Sequence, residues 1–160
     1  LLIGTAMRHH LIHFMAKEEL FHSPLMGWFL RYVGTFPVHR GRVDRKALVE
    51  ALRVLKQGCV LGIFPEGTSR DQGKLGKFHE GMAAIAIRAQ VPVLPTAVIN
   101  SRHLPHKQGP VRVVFGEPVL PPVLSRQDKE KERDIIHQFS EDIRSRILDL
   151  INQHGGENMS

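Results

Sequence analysis

The chain has 160 residues, of which 42% are hydrophobic and 24% are charged. These values are ordinary for one globular domain that is large enough to bury a core. The single cysteine, Cys59, excludes an internal disulfide, and no apolar run approaches the length of a transmembrane helix. Residues 1–124 hold 16 basic and 8 acidic side chains, a balance that favours an anionic partner such as a phosphate ligand, an anionic membrane, an acidic carrier protein or nucleic acid.

Strands and helices are predicted to alternate along the chain. After the end of a helix over residues 1–7, strands are expected over 11–15, 35–38, 59–64, 92–99 and 111–115. Further helices are expected over 17–33 with an interruption at Pro24, and over 44–58, 80–89 and 125–155. Asp44 and Ser125 are suitable N-caps for two of them. The last helix carries an apolar stripe that predicts its core face: Ile136, Phe139, Ile143, Ile147 and Leu150.

This alternation is typical of an α/β domain with a mixed, largely parallel sheet flanked by helices. No internal repeat or low-complexity linker divides the sequence. We therefore predict a single domain over residues 1–152 and a loose C-terminal tail over 153–160. The helix over 17–33 is rich in aromatic residues, among them Trp28 and Tyr32. Two interpretations of it stay open: its aromatic face enters a lipid interface, or the same residues pack inside the protein.

The run Phe64-Pro65-Glu66-Gly67-Thr68-Ser69-Arg70 follows the predicted strand over 59–64. Ligands bind at strand exits in open α/β folds. There Glu66 is suited to accept a hydrogen bond from a hydroxyl, Arg70 to pair with a phosphate, and Gly67 to let the backbone come close. These residue types indicate a site for a small polyol phosphate, and the competing interpretation is an ordinary turn with surface charges.

Four motifs in order carry a family resemblance. They are Phe14-Met15-Ala16-Lys17-Glu18-Glu19-Leu20, Gly34-Thr35-Phe36-Pro37-Val38-His39-Arg40-Gly41, the run over 64–70 extended by Lys77-Phe78-His79-Glu80-Gly81, and Val91-Pro92-Val93-Leu94-Pro95-Thr96-Ala97-Val98. Together they resemble the glycerolipid acyltransferases, over roughly residues 1–120. The resemblance implies a mixed α/β sheet on a membrane surface. It also implies an enzyme that joins an acyl chain from a thioester to a hydroxyl of a glycerol phosphate lipid.

The resemblance also implies a catalytic His-x-x-x-x-Asp pair, in which His is the general base on the acceptor hydroxyl and Asp orients the imidazole. In the family this pair precedes the first motif. The four histidines in residues 1–33 are followed five positions later by Phe14, Met15, Glu18 and Gly27. Only His13 with Glu18 places an acid there, and it lies on a predicted strand. The expectation is therefore that the pair lies upstream of Leu1 and that the catalytic residues are missing from residues 1–160.

The second and third motifs supply the expected substrate-binding residues. Arg40 matches the family's phosphate-binding arginine, and a guanidinium forms a two-pronged contact with phosphate. Glu66 is implied to contact the glycerol hydroxyls or to steady the site. The usual family order is Glu-Gly-Thr-Arg, whereas this chain has Ser69 in the Arg position and Arg70 one residue later. The expected substrate-binding set is Arg40, Glu66, Gly67, Thr68, Ser69, Arg70 and Lys77.

The predicted function is therefore acyl transfer from acyl-CoA or acyl carrier protein to 1-acyl-glycerol-3-phosphate, giving phosphatidic acid in phospholipid biosynthesis. No cofactor is expected, because the acyl thioester is a co-substrate. The expected partners are lysophosphatidic acid, the thioester, the membrane surface and an acyl carrier protein, with the protein held on the cytoplasmic face of the membrane. The alternatives are a non-catalytic domain that binds lipid phosphates, or an acyltransferase for glycerol-3-phosphate or another lysophospholipid.

Other classes of function are not favoured by the sequence. Gly62 and Gly67 have the spacing of a P-loop, but Thr68 stands where that motif requires Lys. His9 and His13 have helical spacing, but no acid or cysteine cluster completes a metal site, so no metal is expected. The positive charge permits nucleic-acid binding, but no motif that reads bases is present, so no nucleic-acid partner is expected.

Overall fold

A computed structural model describes residues 12–38, 44–66, 75–100, 111–125 and 130–155. Within them the chain forms five strands, four α-helices and one 3-10 helix over Glu18–Phe21. The strands are β1 (Ile12–Lys17), β2 (Phe36–Val38), β3 (Val60–Gly62), β4 (Thr96–Ile99) and β5 (Arg112–Phe115). The α-helices are α1 (Pro24–Tyr32), α2 (Arg45–Lys56), α3 (Gly81–Ala89) and α4 (Glu132–Gly155).

The first sheet is parallel, and β1 is its central strand. The strand order is β2-β1-β3, with Met15 opposite Phe36 on one side and His13 opposite Leu61 on the other. Parallel strands end at the same edge of a sheet, so the exits of all three strands share one edge. At this edge the chain continues from β3 towards Glu66, where the sequence predicts a ligand.

The second sheet is an antiparallel pair, in which Ala97 lies opposite Val114. Strand β4 is shorter than the strand predicted over 92–99, because Pro92 and Pro95 have no N–H to donate to a ladder. Before β4 the pairing reduces to an isolated bridge between Val93 and Val119 and to the Pro95 carbonyl, which accepts from the Gly116 N–H at 2.8 Å. The parallel sheet with flanking helices confirms the predicted mixed α/β class, and this pair is its antiparallel part.

Helix α2 begins at a side-chain cap, as predicted from the sequence. The Asp44 carboxylate accepts from the backbone N–H groups of Lys46 at 3.0 Å and Ala47 at 3.1 Å. These N–H groups have no partner within the helix, so the cap satisfies them. Ala47, Ala51 and Val54 then turn inward and are buried.

Replacing Asp44 with alanine is expected to lower the free energy of unfolding by about 1 kcal/mol, because both N–H groups lose their acceptor. Asp44→Asn keeps a side-chain oxygen and is expected to lose less than half of that amount. Chemical denaturation of the three proteins measures the difference. Equal stability of Asp44→Ala and the parent would show that the cap does not contribute.

The main core lies between α3 and α4. Its buried members include Phe78, which lies three residues before α3, and Ile143 of α4, which is 1% exposed. The cluster comprises Phe78, Met82, Ala83, Ala86, Ile87, Phe139 and Ile143. The predicted stripe of α4 is confirmed for Phe139 and Ile143, which are buried, and for Ile136 and Ile147, which pack against the cluster.

The predicted start of the last helix at Ser125 is wrong. Helix α4 begins at Glu132. The sequence between Leu124 and Ile135 contains no apolar residue, so a helix begun at Ser125 would have no apolar face to bury over its first turns, and helices in proteins depend on that burial.

Helix α1 presents its bulky side chains to solvent. Trp28 is 64% exposed and Tyr32 is 78% exposed, and their rings stack with centroids 5.7 Å apart. Leu25, Met26 and Phe29 are also exposed. The interpretation that the aromatic residues of this helix pack inside the protein is therefore wrong for the described residues. We call Leu25, Met26, Trp28, Phe29 and Tyr32 the α1 apolar face.

Candidate functional site

Glu66 lies just beyond β3, at the exit edge of the parallel sheet. Its Oε2 accepts a hydrogen bond from the Gly76 backbone N–H at 3.0 Å. Next to it, the Pro65 carbonyl accepts from the His79 N–H at 2.9 Å. These two bonds join the two ends of the third motif, so the half-buried Glu66 carboxylate has a fixed position although it follows a turn.

The Glu66 carboxylate has hydrogen-bonding capacity left. Within residues 12–38, 44–66, 75–100, 111–125 and 130–155, its one hydrogen bond is that of Oε2 with Gly76. An ionised carboxylate has about four lone-pair sites for donors. Oε1 is therefore suited to accept from a hydroxyl donor such as that of a polyol, as the residue types in the third motif suggest.

The far end of the third motif is anchored by the core. Phe78 is 4% exposed within the α3–α4 cluster, while its neighbours Lys77 and His79 are exposed. The backbone therefore alternates an apolar anchor with two solvent-facing polar side chains. The exposure of Lys77 follows from the burial of Phe78, and its contact with an anionic ligand stays a prediction.

Five of the predicted substrate-binding residues lie outside the described residues: Arg40, Gly67, Thr68, Ser69 and Arg70. Glu66 and Lys77 lie within them and belong to the same motif, on either side of the segment over 67–74. Gly76, whose N–H donates to the Glu66 carboxylate, is not among the residues predicted from the sequence. A Gly-rich segment is visible in the sequence, but no spacing rule pairs residues 66 and 76.

His13 has a structural contact in β1. Its Nδ1 lies 2.9 Å from the Gly34 carbonyl oxygen, and because a carbonyl only accepts, Nδ1 carries the proton in this bond. Gly34 has a φ of +74°, and a Cβ there would lie 3.0 Å from the same ring nitrogen, so glycine is needed for both reasons. His13 thus ties β1 to the turn that precedes β2.

The expectation that residues 1–160 lack a His-x-x-x-x-Asp pair is wrong as a statement of spacing, because the spacing occurs at His39 with Asp44 and at His137 with Asp142. The Asp44 carboxylate caps α2. On α4, residues five apart lie about 140° apart around the helix axis, and the side chains have separate partners. His137 contacts Glu80 at 3.1 Å, and Asp142 contacts Arg146 at 3.1 Å.

In the described part of the chain, no group of three or more His, Cys, Asp or Glu side chains is placed to hold a metal ion. In the same residues, no helix combines the length and the apolar character needed to cross a membrane.

The sequence matches the profile of the acyltransferase family over residues 1–99. This range contains β1 to β4 and the whole third motif. It ends before β5 and α4, so the helix that completes the core lies outside the matched range.

Characterised acyltransferases are similar to the chain. The 1-acyl-sn-glycerol-3-phosphate acyltransferase of Bacillus subtilis is 31% identical over 120 residues, which cover 73% of this chain and 59% of that protein. The lyso-ornithine lipid O-acyltransferase of Pseudomonas aeruginosa is 33% identical over 138 residues, with 85% and 52% covered.

A solved structure has a similar fold. It is the crystal structure of the 1-acyl-sn-glycerophosphate (LPA) acyltransferase PlsC from Thermotoga maritima, with a TM-score of 0.62 and 33% sequence identity. The match covers 86% of this chain and 56% of that one. The chain thus spans little more than half the length of each of these three proteins.

Proposed function

The chain belongs to the acyltransferase family, and from this premise we propose that the protein moves a fatty acyl group from a thioester to the free hydroxyl of 1-acyl-glycerol-3-phosphate, giving phosphatidic acid. The observation that carries the proposal is the Glu66 carboxylate. It is fixed by Gly76 at the exit edge of the parallel sheet, inside the motif that resembles the family's substrate site. The relatives named for this reaction support the choice of acceptor.

The proposed reaction is a single group transfer. The acceptor hydroxyl oxygen attacks the thioester carbonyl carbon, the new C–O bond forms, and the C–S bond breaks. A general base takes the hydroxyl proton, and the departing thiolate is protonated to give the free thiol. The thioester of coenzyme A or of acyl carrier protein is consumed as a co-substrate, so we propose that no cofactor is required.

In this proposal the third motif binds the acceptor. Oε1 of Glu66 accepts from a glycerol hydroxyl while Oε2 keeps its bond with Gly76, so the acceptor binds a carboxylate that the backbone orients. Arg40, Arg70 and Lys77 supply the positive charge for the phosphate, and each charged hydrogen bond of this kind contributes about 1.5–3 kcal/mol. Gly67, Thr68 and Ser69 complete the substrate-binding loop.

The test is an acyl-transfer assay on the full-length protein. Acyl-CoA and acyl carrier protein are compared as donors, and lysophosphatidic acid, glycerol-3-phosphate and a lyso-ornithine lipid are compared as acceptors. Phosphatidic acid formed from lysophosphatidic acid is the expected product. Transfer to a lyso-ornithine lipid alone would correct the acceptor, an outcome that the Pseudomonas relative makes worth testing. Binding of lysophosphatidic acid without transfer would leave a non-catalytic lipid-phosphate-binding domain.

We further propose that the α1 apolar face lies on the cytoplasmic surface of the membrane, where the lysophospholipid is found. Trp and Tyr are enriched at membrane–water interfaces, because their rings are amphipathic. Arg31 is an exposed residue of the same helix, so a positive charge lies beside the exposed aromatic residues in the sequence. Its guanidinium lies 5.5 Å from the centroid of the ring of Phe21, which precedes α1. An exposed aromatic face bordered by a cation is typical of helices that lie in a lipid interface.

Replacing Trp28 and Tyr32 together with serine is expected to weaken binding to phosphatidylglycerol-containing vesicles by about ten-fold or more, because each ring loses apolar area that the lipid would cover. Vesicle co-sedimentation measures this. Val49→Ser is the matched control, since Val49 is an exposed apolar residue of α2, and its binding is expected to equal that of the parent. Unchanged binding of the double variant would show that the membrane contact lies elsewhere.

A further inference from the structure

Arg144 of α4 contacts the backbone of Leu75 and Gly76, which lie between the two parts of the third motif. Arg144 Nε donates to the Gly76 carbonyl at 3.1 Å, and Nη2 lies 3.5 Å from the Leu75 carbonyl. Both carbonyls flank the Gly76 N–H, which is the group that holds Glu66 Oε2 at 3.0 Å. One side chain of α4 therefore contacts the backbone on both sides of the donor that fixes the site carboxylate.

The geometry restricts how the Gly76 N–H can turn. The Leu75 carbonyl and the Gly76 N–H belong to one planar peptide unit, so a cation at the carbonyl end fixes the direction of the N–H at the other end. A donor at the carbonyl also polarises the peptide and strengthens the bond that its N–H makes. The approach is close, since a Cβ on Gly76 would lie 3.3 Å from Glu66 Oε2.

We propose that Arg144 is a positioning residue for the Glu66 carboxylate, acting through the Leu75–Gly76 peptide. This inference rests on the proposed function, because it assigns Arg144 a role in the reaction of that site. Helix α4 then contributes a residue to the site in addition to its apolar side chains in the core. Helix α4 lies beyond the range matched by the family profile, so the family resemblance does not predict this residue.

The same helix offers a matched control. Arg146 pairs with Asp142 on the surface, with Nε to Oδ2 at 3.1 Å. It lines a surface cleft together with Glu117, a residue that follows β5. Arg144 also lies 3.6 Å from Glu141. The two arginines thus each have an acidic neighbour on α4, and they differ in whether they contact the loop.

The experiment compares Arg144→Ala, Arg144→Lys and Arg146→Ala in the full-length protein. Arg144→Ala is expected to lower kcat by about ten-fold, because a misplaced site carboxylate loses transition-state interactions. Arg144→Lys keeps the charge but not the paired donors, and is expected to recover part of this loss. Arg146→Ala is expected to stay within about two-fold of the parent, because exposed ion pairs contribute little.

A double-mutant cycle separates positioning from general stability. In a Glu66→Ala background the carboxylate is absent, so adding Arg144→Ala is expected to lower kcat by less than about two-fold, because residues that act as a unit are not additive. An equal ten-fold loss in both backgrounds would show that Arg144 does not act through Glu66, and would overturn the inference. So would parent-like kcat of Arg144→Ala.

A readout without activity keeps the inference separate from the proposed function. The Gly76 amide proton, bonded to a carboxylate, is expected to shift upfield in the NMR spectrum of Arg144→Ala and to stay in place in Arg146→Ala. If the parent transferred no acyl group, the proposed function would fall, and the Gly76 amide would still decide whether Arg144 sets the Glu66 contact. An unmoved Gly76 signal in Arg144→Ala would overturn that contact.

Discussion

Replacing Glu66 with glutamine is expected to lower kcat for lysophosphatidic acid by about 10- to 100-fold, the equivalent of losing one charged hydrogen bond in the transition state. The glutamine carbonyl oxygen can still accept from the Gly76 N–H, the bond that Oε2 makes at 3.0 Å in the parent. The substitution therefore removes the negative charge while keeping the shape and the local tie. The loss of rate would report the chemistry of the carboxylate rather than the collapse of the motif.

Steady-state kinetics with varied acceptor measure the effect. Glu117→Gln is the control, because Glu117 is an exposed carboxylate that follows β5 in the other sheet. It makes the same chemical change away from Glu66 and is expected to leave kcat unchanged. Near-normal turnover of Glu66→Gln with an intact melting transition would reduce Glu66 to a residue of the turn, and the proposed site would lose its main support.

Much of the fold could be predicted from local sequence patterns, because each pattern depends on residues that are close together in the chain. Asp44 was identified as a cap because an acceptor before an apolar stripe satisfies the first N–H groups of a helix. The parallel sheet followed from the alternation of strands and helices. The helix start predicted at Ser125 was wrong, because a good capping residue does not start a helix where no apolar side chain follows to be buried.

The residue types of the site could be predicted from its motif, but the contacts that arrange them could not. The residue types of the third motif indicate a hydroxyl-binding carboxylate, but its geometry depends on contacts between distant parts of the chain. Glu66 is held by Gly76, and Gly76 is held by Arg144, which is 68 positions further along. Nothing in the periodicity of α4 separates Arg144 from Arg146, because both are polar residues beside the apolar stripe. Tertiary packing alone distinguishes them.

Residues of the hydrophobic core lie next to residues of the candidate site in the chain. Phe78 belongs to the α3–α4 cluster, and the backbone that leads away from it carries Lys77 and then Gly76. On α4, Arg144 directly follows Ile143, which belongs to the same cluster. Packing between α3 and α4 therefore fixes both the loop end that holds Glu66 and the arginine that contacts that loop end.

Truncating Ile143 to alanine is accordingly expected to lower the free energy of unfolding by about 2–5 kcal/mol, because a fully buried side chain leaves a cavity that its neighbours fill only partly. For a domain of this size that loss corresponds to a fall in melting temperature of about 5–15 °C. Thermal and chemical denaturation measure it. Ile143 is 1% exposed, whereas Leu148 on the same helix is 36% exposed, so Leu148→Ala is the matched control.

The same variant tests the link between core and site. Leu148→Ala is expected to cost less than about 1 kcal/mol, because its side chain is already partly in water. Ile143→Ala should also lower kcat at temperatures well below its melting transition, since the cavity loosens both Phe78 and the turn of α4 that carries Arg144. A destabilised Ile143→Ala protein with parent-like kcat at low temperature would show that the site keeps its geometry independently of this packing.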